Sequence, residues 1–164
     1  MFFYDDFIKK IEKTKIEYKP VRKYGLESKK MIMWLGTGVP LILIGLLQGY
    51  IGYTKNFSIP YIAIAALLLF LGFKHLKNIL MYKIVLDCEN KKIVGQGLNL
   101  SFDEIDSCTL KEAVVGKASR LQVIVRIVTK DKREIIIPLI MGKKIDFICA
   151  LKDELKEKFS IIKG

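Results

Sequence analysis

Two long apolar runs, separated by a short polar segment, dominate the first half of the chain. Residues 31–53 and residues 57–73 contain no charged side chain. At ~1.5 Å per helical residue the first run is roughly 34 Å long, enough to cross a hydrocarbon core of ~30 Å. The second run continues to Leu80 between lysines that can extend to the interface. Because neither run has the polar stripe of a soluble helix, the pattern predicts a transmembrane hairpin over 31–81, with spans of about 31–53 and 57–80.

From residue 82 onward the hydrophobic positions follow the shorter period of β-strands, most clearly where apolar and polar residues alternate strictly. Five strands are predicted, at 82–87, 91–97, 105–110, 120–129 and 134–140. Pro138 favours an edge position for the last of them. An apolar stripe at helical spacing then predicts one C-terminal helix over 143–159. The expected fold is an α+β membrane protein, a two-helix transmembrane hairpin followed by a small antiparallel sheet domain (82–164) closed by a helix.

The N-terminal segment, residues 1–30, allows two interpretations. Residues 15–21 alternate, with Ile16 and Tyr18 apolar, and an exposed sheet edge is usually covered. We therefore expect 15–21 to pair with the sheet. Alternatively, the segment is a surface amphipathic helix formed by residues such as Phe7 and Ile11.

Part of the second half resembles a known family. The stretches "LDCENKKIVGQGLNLSFDEIDSC" and "VIVRIVTKDKREIIIPL", followed by the closing helix, resemble the bacterial pleckstrin-homology-like (PH-like) domains of small membrane proteins. The resemblance implies a bacterial inner-membrane protein whose cytosolic domain is a binding or assembly platform without catalysis.

The charge distribution predicts the topology. Net charge is +11; residues 1–30 hold nine Lys and Arg residues, the connection between the spans holds only Lys55, and residues 74–164 hold the other 18. Basic residues near the membrane ends favour the cytoplasmic side. We therefore expect an integral protein of the cytoplasmic membrane with both termini in the cytoplasm.

No set of residues in the sequence indicates catalysis. The only histidine, His75, follows the second apolar run, and three cysteines without paired spacing are typical of reduced thiols. There is no zinc-ligand spacing and no nucleophile with a matching base. "GQG" at 95–97 lacks the rest of a nucleotide loop and is expected to be a tight bend. We therefore expect no enzyme activity, no cofactor and no metal.

Clusters of basic residues are the candidate contact sites. Five of them, Lys130, Lys132, Arg133, Lys143 and Lys144, lie at the two ends of the last predicted strand. Beside an anionic bilayer each contributes ~1 kcal/mol, so they are candidates for lipid headgroups or an acidic protein partner. Nucleic acid is not expected, because basic and aromatic residues do not interleave and no recognition helix is predicted.

Small residues on the first span are candidates for helix packing. Four glycines recur along it, namely Gly38, Gly45, Gly49 and Gly52, and the second and third form a GxxxG motif. They either pack the two spans together or form a homo-oligomer interface. The expected function is a membrane-anchored interaction or assembly module whose PH-like domain binds a protein of unknown identity or lipid headgroups. The alternative is an oligomer that forms a pore or serves as a channel or transporter accessory subunit.

Overall fold

The computed structural model describes residues 2–115 and 120–162 of the 164-residue chain. In chain order the elements are α1 (Phe2–Lys13), β1 (Val21–Gly25), α2 (Ser28–Thr54), α3 (Ile59–Leu80), β2 (Lys83–Asp87), β3 (Lys92–Gly95), β4 (Leu98–Ser101), β5 (Ile105–Val115), β6 (Arg120–Thr129), β7 (Glu134–Pro138), α4 (Lys144–Leu155) and β8 (Phe159–Ile161). Short 3-10 turns follow β4 and α4, at Phe102–Glu104 and Lys156–Lys158.

The chain divides into two compact units. The β unit combines Met1–Gly25 with Lys83–Gly164, and the helical unit is Leu26–Tyr82. The helical unit is thus inserted between β1 and β2, and the N-terminal segment belongs to the same unit as the C-terminal sheet domain.

The helical unit is a hairpin of α2 and α3. Both helices are long and apolar enough to cross a membrane. Most of their side chains are exposed within the unit, whereas a core helix of a soluble protein would bury its apolar residues. The predicted spans agree with these helices to within a few residues.

The β unit contains two four-stranded sheets. The first has the order β1-β2-β3-β4 and is antiparallel throughout; the second has the order β7-β6-β5-β8. In the second sheet β8 pairs with β5 in parallel, through Cys108–Leu110, and the other pairings are antiparallel. Helices α1 and α4 pack against each other.

Alternation along the strands forms the core of the β unit. On the inner face of the first sheet, Ile93 is the direct partner of Leu86 on one side and of Leu100 on the other, and all three are almost fully buried. From the second sheet Leu110, Val125 and Ile127 are fully buried. Side chains two residues apart share a face of a strand, so β1 and β2 bury alternate residues, whereas β6 buries both Ile124 and Val125.

The expected α+β fold, with two long apolar helices, a mainly antiparallel sheet region and a C-terminal helix, is confirmed. The predicted number of strands was too low, since the described part of the chain contains eight. The strands without a predicted counterpart are β4 and β8. The predicted N-terminal strand also begins too early: the residues that pair with β2 are Val21–Gly25, and α1 precedes them. Pro20, immediately before β1, has no N–H to donate to a sheet.

Candidate functional site

Both connections to the helical unit leave the β unit at one place. Gly25 at the end of β1 and Lys83 at the start of β2 are direct partners in the first sheet. The helices begin again at Ser28 and end at Leu80, so only a few residues lie between the sheet and either helix. We call this end of the first sheet, with the β3–β4 turn beside it, the exit end.

A tight turn closes the exit end. Gln96 and Gly97 link β3 to β4 with φ angles of 53° and 77°, the two positive values that a type I′ hairpin turn requires. Gly95 before them has φ 145°, and a Cβ there would overlap the carbonyl oxygen of Lys83 and lie 2.9 Å from the Cα of Ile84. The "GQG" stretch is therefore a tight turn that packs directly against the first residues of β2.

The start of α4 also reaches the exit end. The backbone N–H of Gly142 donates to the carbonyl of Gly25 at 3.0 Å. Lys143 then turns the chain into α4 with left-handed angles, φ 53° and ψ 37°. Two of the five candidate basic residues, Lys143 and Lys144, are thus next to the point where the chain enters the helical unit.

Lysines dominate the exposed charge at the exit end. Lys23 and Lys83 lie on the same outer face of the first sheet and are exposed, as is Lys143. The acidic side chain in the first turn of α4, Asp146, faces inward and is bonded to Arg22 and Tyr24. Glu27, in the connection from β1 to α2, is one further acid close to Lys23 in the sequence. Lysines therefore outnumber the acids that face outward here. The exit end therefore presents positive charge to its surroundings.

The remaining candidates, Lys130, Lys132 and Arg133, lie at the opposite end of the β unit. Their turn joins β6 to β7, and the N–H of Lys130 donates to the carbonyl of Glu104 at 2.8 Å. Phe102 belongs to the same 3-10 turn as Glu104, and its N–H donates to the carbonyl of Lys91. Lys91 lies in the β2–β3 turn, at the end of the first sheet opposite to the exit end. We call this region the far end.

Acids accompany the basic residues of the far end. Arg133 bonds to Asp131 at 2.5 Å, and Arg126 binds Glu134 through two bonds of 2.7 and 3.0 Å. The hydroxyl of Thr129, together with Arg133, lowers the pKa of Asp131. An open pocket of about 410 Å³ here is lined by Asp103, Glu104, Lys130, Asp131 and Arg133. The far end is therefore mixed in charge.

The five basic candidates thus do not form one cluster. The structure separates Lys143 and Lys144 from the β6–β7 turn by the length of β7, roughly 15 Å at ~3.3 Å per residue. The charge segregation between the two ends depends on contacts between residues distant in sequence, which is why a count of basic runs did not reveal it.

All four candidate glycines face α3. A Cβ on Gly45 would lie 3.0 Å from Leu69, one on Gly52 would lie 3.1 Å from Ile62, and one on Gly38 would lie 2.8 Å from His75. At Gly49 the nearest atom, the Cβ of Ala65, is 3.6 Å away, an ordinary contact. The glycine face is therefore used within the hairpin, where His75 also contacts the Trp34 carbonyl at 3.0 Å.

A buried polar cluster behind the exit end was not predicted. Arg22 exposes only 6% of its side chain and donates to Asp146 at 2.7 Å and to the carbonyl of Glu17. The hydroxyl of Tyr24 donates to the same carboxylate at 2.7 Å. Burial and the hydrogen bond to Asp146 raise the pKa of Tyr24 well above its ordinary value. The sequence contained one signal for this cluster: in "VRKYG" Arg22 and Tyr24 are two residues apart, so that in a strand they share a face.

The thiols are poor nucleophiles. Burial raises the pKa of Cys108 to about 12, and burial together with Glu154 raises that of Cys88 to about 11. Since the thiolate is the reactive form, both are unreactive near neutral pH. Among residues 2–115 and 120–162 no group of three or more His, Cys, Asp or Glu side chains could hold a metal ion.

Comparison with known proteins found no matching family model, no similar curated protein and no similar solved structure. The function must therefore be argued from the geometry and charge of the two units.

Proposed function

We propose that this protein is a membrane-anchored interaction module of the bacterial cytoplasmic membrane, with both termini in the cytoplasm. In this proposal the helical unit is the anchor. The β unit is a PH-like domain that binds anionic lipid headgroups through its exit end. The observation that carries the proposal is the difference in charge between the two ends of the β unit: lysines at the exit end, and closely spaced acids and bases at the far end.

The order of elements supports a PH-like domain. A four-stranded antiparallel sheet is followed by the β5-β6-β7 meander and then by α4. This is the strand-then-helix arrangement that the resemblance of the sequence implies. The helical hairpin is inserted in the first connection of that domain.

Electrostatics supports lipid headgroups as the ligand. Each lysine near an anionic leaflet contributes ~1 kcal/mol. Lys23, Lys83 and Lys143 together would then favour contact by about 3 kcal/mol, roughly a hundredfold in population. Because the chain passes from Gly25 to Ser28 through two residues, the exit end is tethered beside the membrane that α2 would span, and the tether keeps the local lipid concentration high.

The mixed charges of the far end support a second candidate function, binding of a protein partner. Polar and charged groups of both signs are typical of the rim of a protein–protein interface and select partners by complementarity. The pore alternative gains no support from the glycines, because all four contact α3 within the hairpin.

The test uses the full-length protein in liposomes of graded anionic lipid content. A donor fluorophore on Ser160→Cys, which is exposed on β8, reports energy transfer to an acceptor lipid. The native cysteines are buried and need not be replaced. We expect transfer to change with anionic lipid content and to revert at high salt.

Two variants with the same change in charge separate the ends of the β unit. Lys23→Glu with Lys143→Glu should abolish the dependence on anionic lipid, whereas Lys130→Glu with Lys132→Glu should retain it. A wild-type signal that is indifferent to anionic lipid, or a loss confined to the far-end variant, contradicts the proposal.

A further inference from the structure

Strands β5 and β6 extend beyond the strands that flank them. β7 pairs with β6 only over Ile124–Val128, and β8 pairs with β5 only over Cys108–Leu110. Val123 still accepts the N–H of Leu139, just after β7, so the residues paired only with each other are 113–115 and 120–122. They form a two-stranded projection, here called the β5–β6 arm, that is roughly 10 Å long at ~3.3 Å per residue.

The arm exposes two apolar side chains opposite each other. Val114 and Leu121 are direct partners across the two strands, and each exposes 59% of its surface. Leu110 and Val125 are partners on the same face, four residues closer to the core along each strand, and they are fully buried. The arm therefore carries the apolar face of the second sheet out of the core. A free two-stranded ribbon is marginally stable in water, so covering this pair would stabilise the arm.

The arm extends from the exit-end side of the second sheet. Along β7 the chain runs from the far-end turn to Pro138, opposite Ile124, and the arm continues in that direction past the end of β7. From Pro138 four residues bring the chain to Gly142, which bonds to Gly25. The lysines of the exit end and the apolar arm thus lie on the same side of the β unit.

Acidic charge on this face stays at the root of the arm. Glu112 lies between the buried Leu110 and the exposed Val114, and it is half-buried. It is close enough to Tyr4 to add to the effect of burial in raising the pKa of that phenol. Tyr4 itself bonds to the carbonyls of Leu110 and Ile162 at 3.1 and 2.9 Å. The carboxylate is therefore near Tyr4, on the body of the β unit.

We propose that the β5–β6 arm enters the headgroup region of the bilayer and places Val114 and Leu121 in contact with lipid. Exposed apolar side chains on the same side of a domain as exposed lysines are a combination that binds a membrane surface, the former by burial and the latter by attraction to anionic headgroups. The inference rests on the proposed membrane-anchored function and adds the apolar contact to it.

The test places an environment-sensitive fluorophore at Val114→Cys or Leu121→Cys in the full-length protein, reconstituted in liposomes. Lipids that carry a quencher close to the headgroup should quench both positions, whereas aqueous iodide should quench them weakly, and the emission should be blue-shifted. Ile136→Cys, on the middle of β7 and 49% exposed, is the matched control and should show the reverse pattern. Leu67→Cys, exposed on α3, reports insertion of the helical unit.

Two outcomes overturn the proposal. Both arm positions could behave as Ile136 does, which means that the arm is in water. Both could also be shielded from iodide without quenching by lipid, which means that protein covers the arm. Energy transfer from Ser160 is measured on parallel samples. If the energy transfer still depends on anionic lipid while the arm is unquenched, only the assignment of the arm fails. If the energy transfer no longer depends on anionic lipid while lipid quenches the arm, the proposed headgroup binding fails instead.

Discussion

Arg22 on β1 and Asp146 on α4 are joined by an ion pair of 2.7 Å, although they are 124 residues apart in the sequence. The same carboxylate accepts the hydroxyl of Tyr24, whose ring contacts Phe147 edge-on at a centroid distance of 5.0 Å. These contacts fix β1 against the C-terminal helix, and α2 begins three residues after β1 ends. The cluster thus secures the strand through which the chain enters the helical unit.

Asp146→Ala should destabilise the β unit by about 3 kcal/mol, because a buried guanidinium loses its counter-charge and a buried hydroxyl loses its acceptor. Tyr24→Phe removes one hydrogen bond and should cost about 1 kcal/mol. The measurement is urea unfolding of the full chain in detergent, followed by the reactivity of the buried Cys108 thiol. Equal midpoints for Asp146→Ala and wild type would show that the pair contributes nothing to stability.

Gly95 and Gly97 are predicted to differ in their tolerance of alanine. At Gly95 a Cβ would overlap the Lys83 carbonyl, so Gly95→Ala should separate β2 from β3 and cost several kcal/mol, above the ~1–3 kcal/mol of backbone strain alone. At Gly97 no atom lies within 4 Å of the added Cβ, and only the left-handed backbone opposes it, at about 1–2 kcal/mol. Thermal unfolding of both variants decides; a Gly97→Ala loss as large as that of Gly95→Ala contradicts the packing argument.

The sequence allowed the helical hairpin and the longer strands to be predicted because their signals are local. A charge-free run long enough to span a bilayer and a strict alternation over ten residues can each be recognised within one segment. The β8 strand, Phe159–Ile161, is too short for any periodicity. β1 is hidden because its inward positions include a charged residue, Arg22, which is normally placed outside.

The candidate site could be predicted only in part for the same reason. Lys143 and Lys144 were identified as basic, but their position depends on the bond from Gly142 to Gly25 across the β unit. Lys23 and Lys83 share a face because β1 pairs with β2 across the helical insertion. The partner of Arg22, Asp146, follows more than a hundred residues later, and nothing local marks the two as a pair.

Gly45→Leu should destabilise the hairpin, whereas Gly36→Leu should not. A Cβ on Gly45 would meet Leu69 and Leu68 at 3.0 and 3.2 Å, and overpacking of this kind costs about 1–3 kcal/mol. Around Gly36 no atom lies within 4 Å of the added Cβ. The rate of disulfide formation between cysteines introduced at Gly49 and Ala65, where an added Cβ at position 49 lies 3.6 Å from the Cβ at position 65, measures the packing of the helices. Equal rates in the two leucine variants would refute this assignment of Gly45.

The stability of the β unit should fall as the pH rises above ~8.5. Burial raises the pKa of Cys108 to about 12, whereas an unfolded thiol titrates near ~8.5. Between these values the unfolded chain has lost the proton and the folded chain keeps it, so the free energy of unfolding decreases by ~1.4 kcal/mol per pH unit for this thiol. Below ~8.5 the thiol is protonated in both states, so it adds no pH dependence to the free energy of unfolding.

Cys108→Ala provides the control for that slope. The variant is expected to start from a lower stability because it leaves a cavity, but its free energy of unfolding should fall less steeply between pH 8.5 and 10. Tyrosines of the unfolded chain titrate only near ~10, and the buried thiols of Cys88 and Cys149, whose pKa values are also raised, add the same slope to both proteins. Urea unfolding in detergent and reductant gives both slopes, and identical slopes would exclude Cys108 as the titrating group.

The orientation of the chain is tested by two exposed positions. Asn56 lies between the two long helices and Ser160 lies on β8. In a background that lacks Cys88, Cys108 and Cys149, a cysteine at position 56 should react with an impermeant maleimide on intact cells, and one at position 160 only after lysis. The physical reason is the excess of Lys and Arg beside both termini, which keeps those segments on the cytoplasmic side. Labelling of position 160 on intact cells would place the β unit outside and remove the inner leaflet as its ligand.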